Sequence, residues 1–142
     1  MLSRLGLCVT MIAAVACAAS QSKPKTPWRV EVTTSGGIAG RGIGSYAIDS
    51  DGNITIKTMG GKECTFRATA EELDHFTSIL GRSKPDQWGR YVPENSCCDR
   101  ITYTLTYDRY KAEWIDDPLP MPEDLVALNK ALNDLRAKHA CN

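Results

Sequence analysis

The sequence predicts an α+β fold: an antiparallel sheet of four or five strands with two helices packed on one face. Three observations lead there. Runs with the two-residue period of a strand precede each of two helical patterns, and no β-α-β alternation asks for a parallel sheet. Residues 100–108 set Ile101, Tyr103, Leu105 and Tyr107 on one side and Thr102, Thr104 and Thr106 on the other, so one face is core and one is solvent. Leu125, Leu128, Leu132 and Leu135 recur at helical spacing after a proline-rich turn.

Each element has its own signal. Residues 29–34 form the first strand, with Val30 and Val32 sharing a face. Residues 35–44 hold five glycines and form a loop. Residues 45–49 and 53–59 flank Ser50-Asp51-Gly52, and an Asp-Gly turn between alternating runs is a hairpin signal. Tyr46 and Ile48 face one way, as do Ile54 and Ile56. Gly60-Gly61 then turns the chain into residues 62–68, where Cys64 and Phe66 share a face. Thr69-Ala70-Glu71-Glu72 fits a capping box, in which the threonine oxygen takes a backbone N–H and the glutamate reaches back. Leu73, Phe76 and Leu80 make an apolar stripe that Gly81 ends. Residues 83–99, with Pro85, Trp88, Pro93 and the Cys97-Cys98 pair, read as a long irregular segment stapled by cysteine. Residues 110–115 pair back on 100–108. Pro122 suits the first position of the last helix, which runs to about Lys138.

The first residues predict export. Arg4 supplies a positive charge, residues 5–16 are almost wholly apolar, and small residues cluster at Ala13, Ala14, Ala16, Ala18 and Ala19. The apolar run is shorter than the roughly 20 residues a spanning helix needs. Residues 1–16 therefore read as a signal peptide, residues 17–27 as a disordered tether rich in Ser, Lys and Pro, and residues 28–142 as one α+β domain. Ala14-Val15-Ala16 suits ordinary signal peptidase and a free secreted product. The same stretch followed by Cys17 resembles a bacterial lipobox, with Cys17 as the lipid-modified first residue. The expected location is the bacterial cell envelope, periplasmic or outer surface, with contact to the membrane through that lipid anchor only.

Cysteine usage fits this compartment. Cys8 leaves with the signal, and Cys17 is left over for the lipid. Cys64, Cys97, Cys98 and Cys141 remain, which predicts two disulfides. A bond between the neighbours Cys97 and Cys98 is strained, so each is expected to reach a distant partner. A bond at Cys141 pins the chain end to the body.

Most chemistries are excluded by particular residues. Seventeen basic and 17 acidic residues leave no basic surplus for nucleic acid. Gly37 and Gly42 have the outer spacing of a phosphate loop, but Ile43-Gly44 stands where Lys-Ser/Thr is needed. A calcium loop starting at Asp49 needs glycine and glutamate where Ile54 and Gly60 stand, so Asp49–Asn53 reads as a hairpin turn. His75 and His139 sit in no metal-ligand spacing and read as solvated helix residues. Glu71-Glu72 and Asp116-Asp117 have local work in capping and turning. The expectation is a protein that is not an enzyme and holds no cofactor or metal.

One phrase is left without such an account: Val32-Thr33-Thr34-Ser35-Gly36-Gly37-Ile38-Ala39-Gly40. It resembles the opening of emfourin-like proteins, the family that includes the proteinaceous inhibitor of protealysin, a thermolysin-type zinc metalloprotease. The similar chain order continues through a short sheet, an acidic-start helix, the strand with Tyr103-Thr104-Leu105-Thr106-Tyr107, a hairpin partner and a last helix after prolines. The resemblance implies that Ser35, Gly36, Gly37, Ile38, Ala39 and Gly40 contact a protein partner, a metalloprotease. The export signal, the tether, the four cysteines and residues 83–99 are additions to the family pattern. Independently of the family, glycines let backbone approach a partner closely, and Ile38-Ala39 on such a loop makes an apolar plug. The competing expectation is a non-enzymatic structural or interaction lipoprotein, working through the solvent face of the sheet or through Tyr91-Val92-Pro93.

Overall fold

Two-residue alternation along the chain becomes a single seven-stranded sheet in a computed structural model, which describes residues 26–37, 40, 42–96 and 99–141. The strands are β1 (Arg29–Gly36), β2 (Gly44–Asp49), β3 (Asn53–Thr58), β4 (Glu63–Arg67), β5 (Arg90–Tyr91), β6 (Ile101–Tyr107) and β7 (Tyr110–Ile115). Their order across the sheet is β4-β3-β2-β1-β6-β7-β5. The helices are α1 (Ala70–Arg82) and α2 (Glu123–Lys138). The fold is α+β as expected, but the sheet is larger and it is mixed. Every neighbouring pair is antiparallel except β5 with β7, which is parallel. All six alternating runs join the sheet, and a seventh, edge strand arises inside residues 83–99. Backbone makes it: Glu113 N–H donates to the Gly89 carbonyl at 3.0 Å, and Leu119 N–H to that of Tyr91 at 3.1 Å. An Arg90–Glu113 ion pair at 3.0 Å adds to the edge.

Register explains where the core lies. Val30 sits between Ile48 and Tyr107, and Val32 between Tyr46 and Leu105. Ile48 and Tyr46 in turn face Ile54 and Ile56 of β3. These side chains, with Ala112 and Trp114 of β7, share one hydrophobic cluster with Phe76, Ile79 and Leu80 of α1 and Leu125, Leu128, Ala131, Leu132 and Leu135 of α2. Tyr103 stacks on Trp114 at a centroid distance of 5.8 Å. In the alternate register Thr33, Thr55, Thr65, Thr102, Thr104 and Thr106 stay half-buried or exposed, while Ala47 and Ile115 are buried.

The helix ends show capping at work. Glu72 N–H donates to Thr69 Oγ1 at 3.2 Å, and Glu72 Oε2 accepts from Thr69 N–H at 2.7 Å, completing the capping box. Gly81 does not end α1. It keeps helical backbone, and the chain leaves the helix at Ser83, whose N–H reaches the Ile79 and Leu80 carbonyls. Pro122 stands at the N-cap of α2, one position before the expected one. Asp124, in the first turn of α2, accepts from Lys84 N–H at 2.9 Å and from Trp88 Nε1 at 3.1 Å. Among the described residues, that carboxylate and the β5 bonds fasten residues 83–96.

The cysteine pairing differs from expectation. Cys64 and Cys141 are joined to each other, with Cα atoms 5.8 Å apart. Neither is therefore a distant partner for Cys97 or Cys98, which lie outside the described residues. Cys64 pairs in register with Ile56, which puts its side chain on the core face of an edge strand, and the chain leaving α2 arrives at that point. The chain end is pinned to the body as predicted.

Glu72 ties the two helices together beside this disulfide. Its Oε1 accepts from Lys138 Nζ at 2.6 Å. His139 is not the solvated helix residue expected: it lies just past α2, stacks 5.1 Å from Phe66, and places Nε2 3.6 Å from Glu72. The Lys138 hydrogen bond, opposed by burial and helped by the Thr69 N–H, lowers the Glu72 pKa from 4.5 to about 2. A carboxylate whose pKa falls on folding stabilises the fold above its unfolded pKa and loses that contribution as pH falls through the folded one. Stability is therefore expected to decline between about pH 4.5 and pH 2. Urea midpoints across that range check it, and Glu72→Gln should flatten the decline.

Candidate functional site

β1 ends and β2 begins at the same end of the sheet, and the glycine-rich loop between them is the candidate site. β1 reaches further than the alternation of Val30 and Val32 suggests, with Ser35 opposite Thr102 and Gly36 opposite Ile101. Gly36, Gly37, Gly40, Gly42 and Gly44 all have positive φ, at 84°, 71°, 66°, 63° and 105°. Two of these positions show why glycine is required. A Cβ on Gly36 would collide with the Arg100 carbonyl oxygen, and one on Gly44 with that of Lys57. Neighbouring strands pass too close to the loop for any side chain there.

Hydrogen bonds then hold the described residues of the loop in place. Gly37 N–H donates to the Arg100 carbonyl at 3.1 Å. Gly42 N–H donates to the Gly36 carbonyl at 2.9 Å, closing the loop on itself. Gly40 N–H donates to the Gly37 carbonyl at 2.9 Å. Thr34 makes two bonds: its hydroxyl donates to the Gly44 carbonyl at 2.6 Å and accepts from Ile43 N–H at 2.8 Å. Thr34 was not singled out from the sequence, although a signal exists. It continues the inward row of Val30 and Val32, and a hydroxyl at an apolar position needs a bonded partner.

Of the six candidate contact residues, Ser35 and Gly40 are exposed, and Gly36 and Gly37 are half-buried. Ile38 and Ala39 lie outside the described residues. So does Cys17, the lipidation candidate. The described loop residues carry no titratable side chain. What they can offer a partner is shape, namely backbone carried past the end of the sheet on a frame of fixed bonds.

Other candidate features find structural explanations. The Asp49 carboxylate accepts from the Asp51 and Asn53 backbone N–H groups, both at 3.0 Å, and from the Asn53 side chain. Burial alone would raise its pKa, but the Asn53 and Asp51 bonds outweigh it and hold the group below the usual range. That is a hairpin turn and leaves little of the carboxylate for a cation. His75 is exposed on α1. Among the described residues no three His, Cys, Asp or Glu side chains gather as metal ligands. Val92 is buried and Tyr91 packs against the core, so this pair is part of the fold rather than a free contact. No helix among the described residues is long and apolar enough to cross a membrane.

Fold and site together define an α+β domain that presents a glycine-framed loop from one end of a mixed sheet. Compared with known protein families and with characterised proteins, the chain matches none.

Proposed function

We propose that this domain is exported, held in the bacterial cell envelope through Cys17, and inhibits a thermolysin-like metalloprotease with the loop of residues 35–40. The observation that carries the reading is the bonded frame of the loop. Five bonds from Thr34, Gly37, Gly40, Gly42 and Ile43 hold its described residues before any partner arrives. An inhibitor whose contact segment is carried on a bonded frame loses less conformational entropy on binding. Apolar Ile38 and Ala39 lie between Gly37 and Gly40 in the sequence, and the phrase around them resembles the emfourin-like family. Both helices cover one face of the sheet in this reading and leave its loop end free. Inhibition requires shape and an apolar plug rather than a catalytic group, in line with the expectation of a non-enzymatic chain.

The test is inhibition of a purified thermolysin-like protease by the mature protein. The wild type slows peptide hydrolysis in a saturable way. Ile38→Asp places a charge where an apolar contact is expected, costing at least about 2 kcal/mol, roughly 30-fold in Ki. No inhibition of any such protease at micromolar concentration would sink the reading. The alternative, an interaction lipoprotein of the envelope, draws on the threonine-rich face of the sheet. It would be favoured if a partner's capture from envelope extracts failed on changing Thr104 and Thr106 and survived Ile38→Asp.

A further inference from the structure

At the opposite end of the sheet, where the chain enters β1, four segments enclose an open groove of about 860 Å³. This is within the roughly 300–1,000 Å³ typical of small-molecule sites. The entering segment supplies Trp28, the last turns of α1 supply Leu80, and the end of β6 supplies Tyr107. These three form apolar walls, since Leu80 belongs to the core and Trp28 and Tyr107 pack against it. The rim is acidic. The β2–β3 turn contributes Asp49 and Asp51, and the β6–β7 turn contributes Asp108, whose backbone is left-handed at φ 53°. Arg29, the basic side chain in the lining, pairs with Glu31 at 3.4 Å, and Asp49 is taken up by Asp51 and Asn53, which leaves Asp51 and Asp108 to face a ligand.

We propose that this groove is a second binding site, for a ligand bearing an ammonium or guanidinium group on an apolar stem. The stem lies between Trp28, Tyr107 and Leu80, and the cation faces Asp51 and Asp108. The carboxylates favour a cation over a neutral head and reject an anion, while the aromatic and aliphatic walls take the stem. The site is independent of the glycine loop, which stands at the other end of β1.

Nuclear magnetic resonance of the indole N–H groups tests it, with n-hexylamine, n-hexanol and hexanoate as probes of equal stem and different charge. Trp28 is exposed to the groove, while Trp114 is buried in the core and reports on the fold. Hexylamine should shift the Trp28 indole saturably and leave Trp114 in place. It should bind roughly fivefold tighter than hexanol, the scale of a few rim charge pairs, and hexanoate should bind weakest. Asp51→Asn with Asp108→Asn should abolish the preference for the amine while hexanol binding persists. Equal binding of amine and alcohol overturns the proposal, as does a Trp28 shift that the double variant leaves unchanged. Amine binding that emerges only after Lys23 and Lys25 are replaced by Gln assigns the groove to the chain's own lysines and overturns a site for a free ligand.

Discussion

Replacing Cys64 and Cys141 together by serine is expected to lower the stability of the domain by about 3–4.5 kcal/mol. The two cysteines are 77 residues apart in sequence. In the chain-entropy description, a cross-link of that span withholds about 4.5 kcal/mol of disorder from the unfolded chain at 25 °C, within the 2–5 kcal/mol typical of natural bonds. The bond also holds the tail that sets Lys138 and His139 against Glu72 and Phe66. Because α1 and α2 meet at Glu72, loosening the tail weakens the contact between the helices as well as the edge strand. Urea unfolding under non-reducing conditions measures the loss. A difference below about 1 kcal/mol would mean that the unfolded chain is already compact around this contact, and that the edge is held by the apolar cluster alone.

Gly44→Ala is the second change of large expected effect. Its φ of 105° is hostile to any side chain, and a Cβ there runs into the Lys57 carbonyl. Relief requires β2 to part from β3 at Gly44–Thr58, where their register begins. Strain and lost pairing together are expected to cost about 3–5 kcal/mol. The loop loses its shape with them, because Thr34 bonds the Gly44 carbonyl. Gly40→Ala is the contrast. Among the described residues nothing lies within 4 Å of a Cβ there, so the φ of 66° supplies the cost, at about 1 kcal/mol. Thermal melting should separate the two variants by several degrees, and inhibition should vanish in Gly44→Ala but survive in Gly40→Ala. Equal effects of the two changes would remove the steric account of the loop.

Legibility in the sequence followed the physics of each element. Along β1, β2, β3, β4, β6 and β7 apolar core-facing side chains recur at every second residue, so their existence can be read residue by residue, although β2 and β7 also bury Ala47 and Ile115 of the other face. β5 has two residues held by backbone bonds to β7 and to Leu119, and backbone bonding leaves no side-chain period. Its parallel direction followed from the course of residues 83–89 over Asp124 and was equally silent. The capping box at Thr69 is a local rule and could be read from four residues. The end of α1 could not, because Gly81 can either close a helix or continue it, and the Ser83 bonds decide. The partner of Cys141 depends on where α2 delivers the chain across the sheet, a tertiary fact. In the loop, glycine spacing announced a special backbone, but which glycines are sterically required depends on neighbours far along the chain, Arg100 for Gly36 and Lys57 for Gly44.

The most direct measurement of the central claim is hydrogen–deuterium exchange of the mature protein alone and with an equimolar thermolysin-like metalloprotease. The account predicts slow exchange already in the free protein at Gly37, Gly42 and Ile43, whose N–H groups are bonded. In the complex, added protection should appear in peptides covering residues 35–44 and not in those covering residues 49–52 or 106–108. Protection confined to another surface, or an exchange pattern that the protease leaves unchanged, would contradict it.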